Sequence, residues 1–481
     1  MANDHWPSVR LFATALLIGC GGSFHLGYQI TLTNPAQQAF LHFLRDSFTS
    51  HYGGAISQQT LEAIWSAIIA VLFVGGIVVS SSSSHLIISC QINSFELYAL
   101  SRFTIGWSIT VSLGISGIYL TECSPKRCRG FVSMTTGIFV QIGLVTGSVL
   151  ALPSIFGTTT MWWLLYLVEL IMVIFVLGFM FFSYETPGYL LQQDREEEAF
   201  ISIKTFHKCT DAEAETQVQE LRKGMNQNSK PMGLFEVMKT SETRRPTIVG
   251  AMTAFAMTFS GIAVINAFAV DILRSTGLTI FEASLANVGL SLLTLFGAMF
   301  SAVVIDRFGR RPLLQISLMV IIVVNILIFV FMYTYSIYKQ MWIGICLIVI
   351  ISIFMIAFTV GPGPLCYFIT SEMIGQHARS AAQGWTSLVQ MTCRSIILAI
   401  FLPLKNSIGA AFSYLILFVA PMIFCVVFFH FMLPETKNRN LFEVEIEVSR
   451  LPTLPFRAKR AYNTTLVFEK NPQTLPQKDV F

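Results

Sequence analysis

The chain has 481 residues, 54% of them hydrophobic and 12% charged, with 41 phenylalanines. A soluble fold of this length cannot hide that much apolar surface, so the class is an all-α, polytopic membrane protein. The net charge of +4 carries no sign of nucleic acid, because the basic residues sit in short loops between apolar runs. Nine scattered cysteines have neither a pairing pattern nor metal-ligand spacing and read as small core residues, so no metal or cofactor is expected.

Taken in order, apolar runs of helical length fall at about 10–31, 62–80, 84–101, 103–121, 131–152 and 161–183. After a polar interval come 247–272, 281–305, 313–335, 341–368, 380–402 and 410–433. The first run contains Gly27 and Tyr28 and has no small-residue cleavage site, so it reads as a membrane helix and not a removable leader. Lys126, Arg127 and Arg129 follow the fourth run, Arg307, Arg310 and Arg311 the eighth, and Arg379 the tenth. Alternate loops hold at most one basic residue each (Arg45, Arg274, Lys339, Lys405), which places both termini in the cytosol of a multi-pass protein embedded in membrane lipid.

One region departs from this regularity. From the start of the second run to Glu122 there are 61 residues, against 90 in the matching part of the second half. The loop Ser80–Ser84 carries no Lys or Arg. Either the second and third spans are shortened or they merge, giving eleven spans. Merging would put the Lys126–Arg129 cluster outside, so twelve is the expected count. The interval 184–246 is acidic, and Thr210 with Glu213 has capping-box spacing for a helix to about Lys223. The expected organisation is a transmembrane bundle over 1–183, a cytosolic helical linker over 184–246, a second bundle over 247–433 and a cytosolic tail over 434–481. In that tail, the Asn463 sequon should go unused, and Asp479-Val480-Phe481 would at most offer a terminal carboxylate to a scaffold domain.

The two halves repeat. Glu122 and Arg129 are spaced by seven residues, as are Glu372 and Arg379, and the two pairs are offset by 250. Glu185 in Tyr-Glu-Thr-Pro and Glu435 in Pro-Glu-Thr-Lys share that offset. Parallel repeats of this kind build transporters whose substrate site lies between the halves. Within the second half, Gly361-Pro362-Gly363-Pro364 interrupts an apolar run and predicts a kinked or broken helix, a hinge where protein or a cavity satisfies the freed backbone.

These residues resemble the sugar porters of the major facilitator superfamily, specifically the facilitative hexose transporters, over about Phe12 to Arg439. The carriers of the resemblance are Asp306-Arg307-Phe308-Gly309-Arg310-Arg311, the Gly-Pro repeat at 361–364, Pro-Glu-Thr-Lys at 434–437, and Ser101–Gly106 followed by Thr121–Gly130. The resemblance implies two six-helix bundles rocking about a central site, with no enzymatic activity, and a plasma-membrane setting. It also implies a cytosolic ion-pair clamp formed by Glu122, Arg129, Arg310, Arg311, Glu372 and Arg379.

Departures from the family fall on the sugar site. Met257 and Thr258 stand where the family has two glutamines, Gly137 replaces a glutamine, Thr294 and Gln390 replace asparagines, and Tyr367 replaces a tryptophan. The first-half copy of the Gly-Arg-Arg loop is missing, and Gly188 stands at a basic position of the clamp. Sugar hydroxyls need amides, which donate and accept together, so substitutes are sought nearby. Gln141 lies one turn from Gly137, and Asn266 three residues from Ala263, another family asparagine position. The expected lining is Gln29, Gln141, Asn266, Tyr367, Gln390 and Arg394, passing a hexose or related polyol.

Proton-driven relatives carry an acid after Gly-Tyr in span one, where this chain has Gln29, which cannot titrate; facilitated flux is the expectation. Glu169 and Arg394 nonetheless lie inside spans, where charge is costly and marks function. Arg394 would favour an anionic or strongly hydroxylated substrate. Glu169 is expected to pair within its own half, with Arg102 the candidate partner, and His25 to be a satisfied core histidine. Proton-coupled symport and a non-transporting sensor with a transporter fold are the alternatives. No nucleophile with a base partner, metal cluster or phosphate loop points to an enzyme.

Overall fold

A computed structural model describes residues 8–54, 56–75, 94–125, 129–181, 183–227, 232–274 and 277–436. Among them eight helices are long and apolar enough to cross a membrane, and the shorter Gln58–Val74 and Thr135–Leu150 are also apolar. No β-strand occurs among the described residues. The third expected span, Lys126, Arg127 and the tail beyond Thr436, with its sequon and terminal residues, lie wholly or largely outside the described residues.

Helix α1 (Val9–Thr31) carries a π-helical turn at Gly19–Ser23. It packs backbone-to-backbone on α5 (Arg129–Leu150): a Cβ at Gly27 would lie 1.9 Å from the Val140 carbonyl oxygen, and one at Gly143 2.1 Å from that of Phe24. Helices in lipid lack a hydrophobic drive to associate, so such close approach of small residues supplies the packing. Gly27→Ala is therefore expected to force the two helices apart, and a clear fall in the thermal midpoint of the purified protein checks it.

Helix α2 (Gln37–Tyr52) organises the next two. Arg45 donates to Gln58 at 2.7 Å, at the start of α3 (Gln58–Gly75). Tyr52 donates to Glu96 at 2.7 Å, at the start of α4 (Phe95–Cys123). Both helices thus leave the same end and run the same way, and the segment that links them lies outside the described residues. The boundary expected at 101–103 is not a helix end. The Ser94 hydroxyl accepts from the Leu97 N–H at 3.3 Å and caps a helix that meets no proline before Cys123.

After α6 (Trp163–Met180) come four polar-region helices, α7 (Pro187–Gln192), α8 (Glu196–His207), α9 (Asp211–Gln227) and α10 (Glu236–Lys239). The Glu213 carboxylate accepts from the Thr210 N–H at 2.9 Å, at the start expected for α9. Leu190, Leu191, Ala199, Ile203, Ala214 and Val218 give this region a small core of its own. It docks on the membrane helices through Ser8, which donates to the Phe206 carbonyl at 2.8 Å, and through Trp385, which donates to the Leu234 carbonyl at 2.7 Å. We call this side the linker end and the opposite side the far end.

The second half begins with α11 (Ser241–Phe259) and α12 (Ile262–Arg274), separated at Gly261 with φ +107°, where a side chain would also collide with the Tyr414 hydroxyl. Then come α13 (Ile280–Phe308), opened by a Thr279–Glu282 capping box, α14 (Arg310–Tyr338) and α15 (Met341–Val360). The interruption expected at 361–364 falls at Gly361, whose φ and ψ of −108° and −98° end α15 before Pro362 opens α16 (Pro362–Met373). A Cβ at Gly361 would lie 1.8 Å from the Ser317 hydroxyl of α14. Helices α17 (Gln376–Ile408) and α18 (Ala410–Met432) complete the chain.

The halves meet along α3 and α17 and along α5 and α13. Ser66 donates to the Leu398 carbonyl, Ser395 to that of Ala70 at 3.2 Å, and Asn406 to Glu62 at 3.2 Å. Large apolar side chains such as Phe175, Phe296, Val323 and Phe424 are exposed on outer faces, as a lipid-facing surface requires.

Candidate functional site between the halves

Where α1, α3, α4, α12 and α17 converge, a cavity with space for about one water molecule is lined by Gln29, Thr33, Phe73, Arg102, Ala263 and Arg394, among others. Residues of both halves therefore face each other, and the site is closed down around no more than a water.

Beneath it lies a buried polar chain. Gln29, Arg102, Glu169 and His25 are all under 5% exposed. Arg102 Nη1 donates to Gln29 Oε1 at 2.5 Å, the Gln29 amide nitrogen donates to one Glu169 oxygen, and His25 Nδ1 lies 3.2 Å from the other. The order fixes the amide: its oxygen must face the guanidinium and its nitrogen the carboxylate. Gln29 thus couples a cation to an anion without carrying charge. Glu169 does pair within its own half, but its partners are His25 and Gln29, and Arg102 reaches it only through that amide. From the other half, the Arg394 guanidinium carbon sits 4.8 Å from the centre of the Phe73 ring of α3, a cation–π contact across the interface.

Of the six residues expected to line the site, the cavity brings together Gln29 and Arg394. Gln141, Asn266 and Gln390 are not among its lining residues. The Gln390 amide is buried against the Met257 sulfur at 3.3 Å, and the side-chain oxygen of Gln141 is buried without a hydrogen-bond partner among the described residues. Tyr367 stands on α16, its side chain outside the described residues. Arg102 and Phe73 were not expected there. An arginine inside an apolar run was the available signal for Arg102.

Asn266 contributes its backbone, not its amide. Phe268 has non-helical φ and ψ of −135° and 16°, so α12 is kinked there. The freed groups are taken up by fully buried Asn34, from the turn after α1. Asn34 Nδ2 donates to the Asn266 carbonyl at 3.1 Å, and Asn34 Oδ1 accepts from the Val270 N–H at 3.0 Å. One side-chain amide of the first half thereby replaces an i→i−4 backbone bond of the second. Nδ2 also donates to Asn287 Oδ1 at 3.2 Å.

At the linker end, Arg310 Nη2 lies 3.2 Å from Glu372 Oε1, and Thr436 donates to the other Glu372 oxygen at 2.5 Å. Glu435 accepts from the backbone N–H groups of Arg310 and Arg311 at 3.0 and 3.1 Å, capping the start of α14. Arg311 itself donates to the His430 carbonyl at 2.8 Å. Glu122 and Arg379 are exposed, and the Arg129 side chain lies outside the described residues. A Cβ on Gly188 would lie 3.3 Å from a Glu122 oxygen, so the missing basic side chain is missing from a position that faces Glu122. Glu435→Ala removes a helix cap and is expected to lower stability by about 1–2 kcal/mol, read as a lower thermal midpoint.

A family model described as "Sugar (and other) transporter" matches residues 64–447. The chain belongs to this sugar transporter family. It is a multi-pass membrane protein with the major facilitator fold. Among curated relatives, the mouse "Solute carrier family 2, facilitated glucose transporter member 9" is 25% identical over 464 residues, covering 91% of this chain and 85% of that protein. The chicken "Solute carrier family 2, facilitated glucose transporter member 1" is 26% identical over 465 residues, covering 88% and 90%. Among solved structures, the partially occluded, inward-open xylose transporter XylE from E. coli superposes with a TM-score of 0.69 at 16% identity, covering 90% of this chain and all of that one. The "proton:xylose symporter XylE bound to 6-bromo-6-deoxy-D-glucose" gives a TM-score of 0.68 at 17% identity, covering 92% and 100%.

Proposed function

We propose that this chain carries a hexose or related polyol down its gradient across the plasma membrane by alternating access, as a uniporter with both termini in the cytosol. The bundles 1–183 and 247–433 would rock about the cavity, with 184–246 tying them together at the cytosolic side and 434–481 as a tail. Gln29, Gln141, Asn266, Tyr367, Gln390 and Arg394 would meet substrate as the cavity opens. Gly361–Pro364 would act as the hinge. Arg310, Arg311, Glu372, Arg379, Glu122 and Arg129 would form the cytosolic clamp, since a two-state equilibrium is biased only by contacts that differ between states.

The observation that carries the uniport reading is Gln29, a neutral amide held between Arg102 and Glu169 beside the cavity. It transmits polarity there without a titratable proton. Proton-coupled symport is the second reading, favoured by the buried His25–Glu169 pair one contact away. Uptake of labelled hexose into proteoliposomes, with and without an inward proton gradient, separates the two. Rates that agree in both conditions support uniport, and uptake that requires the gradient transfers the coupling to Glu169 and His25.

A further inference from the structure

The geometry points to Thr33 as a residue that determines specificity, by pairing one hydroxyl of a neutral sugar with the first half of the chain. The inference rests on the carrier reading and names a contact within the same site. Thr33 lies in the turn after α1, 1% exposed, on the wall of the cavity between the halves. Its hydroxyl has no hydrogen-bond partner among the described residues. Thr31, two residues earlier, shows the ordinary arrangement of a buried hydroxyl. It donates to the Gly27 carbonyl at 3.2 Å, one helical turn back, and to that of Leu144 at 3.0 Å. Thr33 stands past the end of the helix and makes no such bond. Buried hydroxyls left alone are uncommon, and this one borders a cavity through which a partner can reach it.

A second unpartnered group belongs to the same lining. Arg102 donates through Nη1 to Gln29 at 2.5 Å, while its buried Nε–H has no hydrogen-bond partner among the described residues. A ligand hydroxyl can accept from that N–H and can donate to Thr33 or accept from it, so an alcohol suits both. Neither group calls for a charged ligand, since Glu169 already balances Arg102 through Gln29. Ile69, Leu72 and Leu398 supply apolar wall for the C–H faces. The turn is also held in place. The next residue, Asn34, bonds the Asn266 carbonyl and the Val270 N–H of the other half, so Thr33 is presented at a fixed position.

The test measures displacement of labelled glucose from the purified full chain by unlabelled glucose and by its 1-, 2-, 3- and 6-deoxy analogues. In the unmodified protein at least one analogue should bind at least about tenfold more weakly than glucose, because it leaves Thr33 unpaired. Thr33→Val keeps the branched shape and removes the hydroxyl, and it should weaken glucose by a similar factor. The analogue that lost affinity before should bind Thr33→Val about as well as it binds the unmodified protein, the non-additivity of two groups in contact. Thr33→Ser should restore glucose affinity. The thermal midpoint of Thr33→Val without sugar should not fall, since the hydroxyl it removes bonds nothing in the protein. Should the valine variant fail to fold, Thr33→Ala takes its place in the same cycle. Unchanged glucose affinity in Thr33→Val overturns the inference, as a hydroxyl that meets only water. Equal weakening of glucose and every analogue also overturns it, as an effect of shape. Uptake into proteoliposomes keeps the two readings apart. The expected pattern without uptake supports the Thr33 contact and overturns the carrier reading, and neither binding nor uptake of glucose by the unmodified protein overturns both.

Discussion

Glu169→Ala is expected to destabilise the protein by about 3–5 kcal/mol, because it leaves the Arg102 guanidinium buried without its balancing anion. The Gln29 amide nitrogen and His25 Nδ1 lose their acceptor at the same time. Glu169→Gln keeps an acceptor oxygen and should cost less. The double variant Glu169→Ala, Arg102→Met removes both charges and should recover part of the loss, since residues in one network do not add independently. Thermal midpoints of the unmodified protein, Glu169→Ala, Arg102→Met and the double variant, purified alike, check this cycle. Single-variant losses that simply add in the double variant would show that the four side chains do not act as one network.

The second large effect is expected at Asn34. Its amide satisfies the broken backbone of α12 at two points, the Asn266 carbonyl and the Val270 N–H, and donates to the Asn287 side chain of α13 as well. Asn34→Ala strands these buried groups at the interface between the halves, at about 1–3 kcal/mol for each left unpaired. The conformation with the far end closed is the one that loses them, so the variant should shift towards far-end-open states by a factor of ten or more, the shift that about 1.4 kcal/mol produces. A cysteine placed at Ala267 would report it. Its labelling by an impermeant thiol reagent from the far side should speed up in the Asn34→Ala background relative to the same cysteine alone.

Much of this was legible in the residues and some of it could not be. Apolar runs, basic loops and the 250-residue offset of Glu122, Arg129 and Glu185 give the class and the repeat, because lipid and duplication act on the linear sequence. The break at Gly361 was readable for the same reason, as a glycine–proline effect within one helix. The boundary expected near 102 failed because Ser94 caps a helix that continues through it, and hydropathy does not register caps. The site was half legible. Gln29 and Arg394 stand out as polar groups in apolar runs, but whether a helical amide faces the cavity depends on the rotation of its helix. Gln390 is turned to Met257, and Asn266 uses its carbonyl. Asn34 gave no signal, since its work depends on a kink in a helix more than two hundred residues away.

The central claim is that the cavity between the halves moves a sugar from one side of a membrane to the other. Counterflow measures this most directly: proteoliposomes preloaded with unlabelled glucose are diluted into a trace of labelled glucose. The account predicts transient accumulation of label above its equilibrium level, in vesicles with and without a proton gradient. Label that binds saturably but never overshoots would contradict it, and would make the protein a receptor built on a transporter fold.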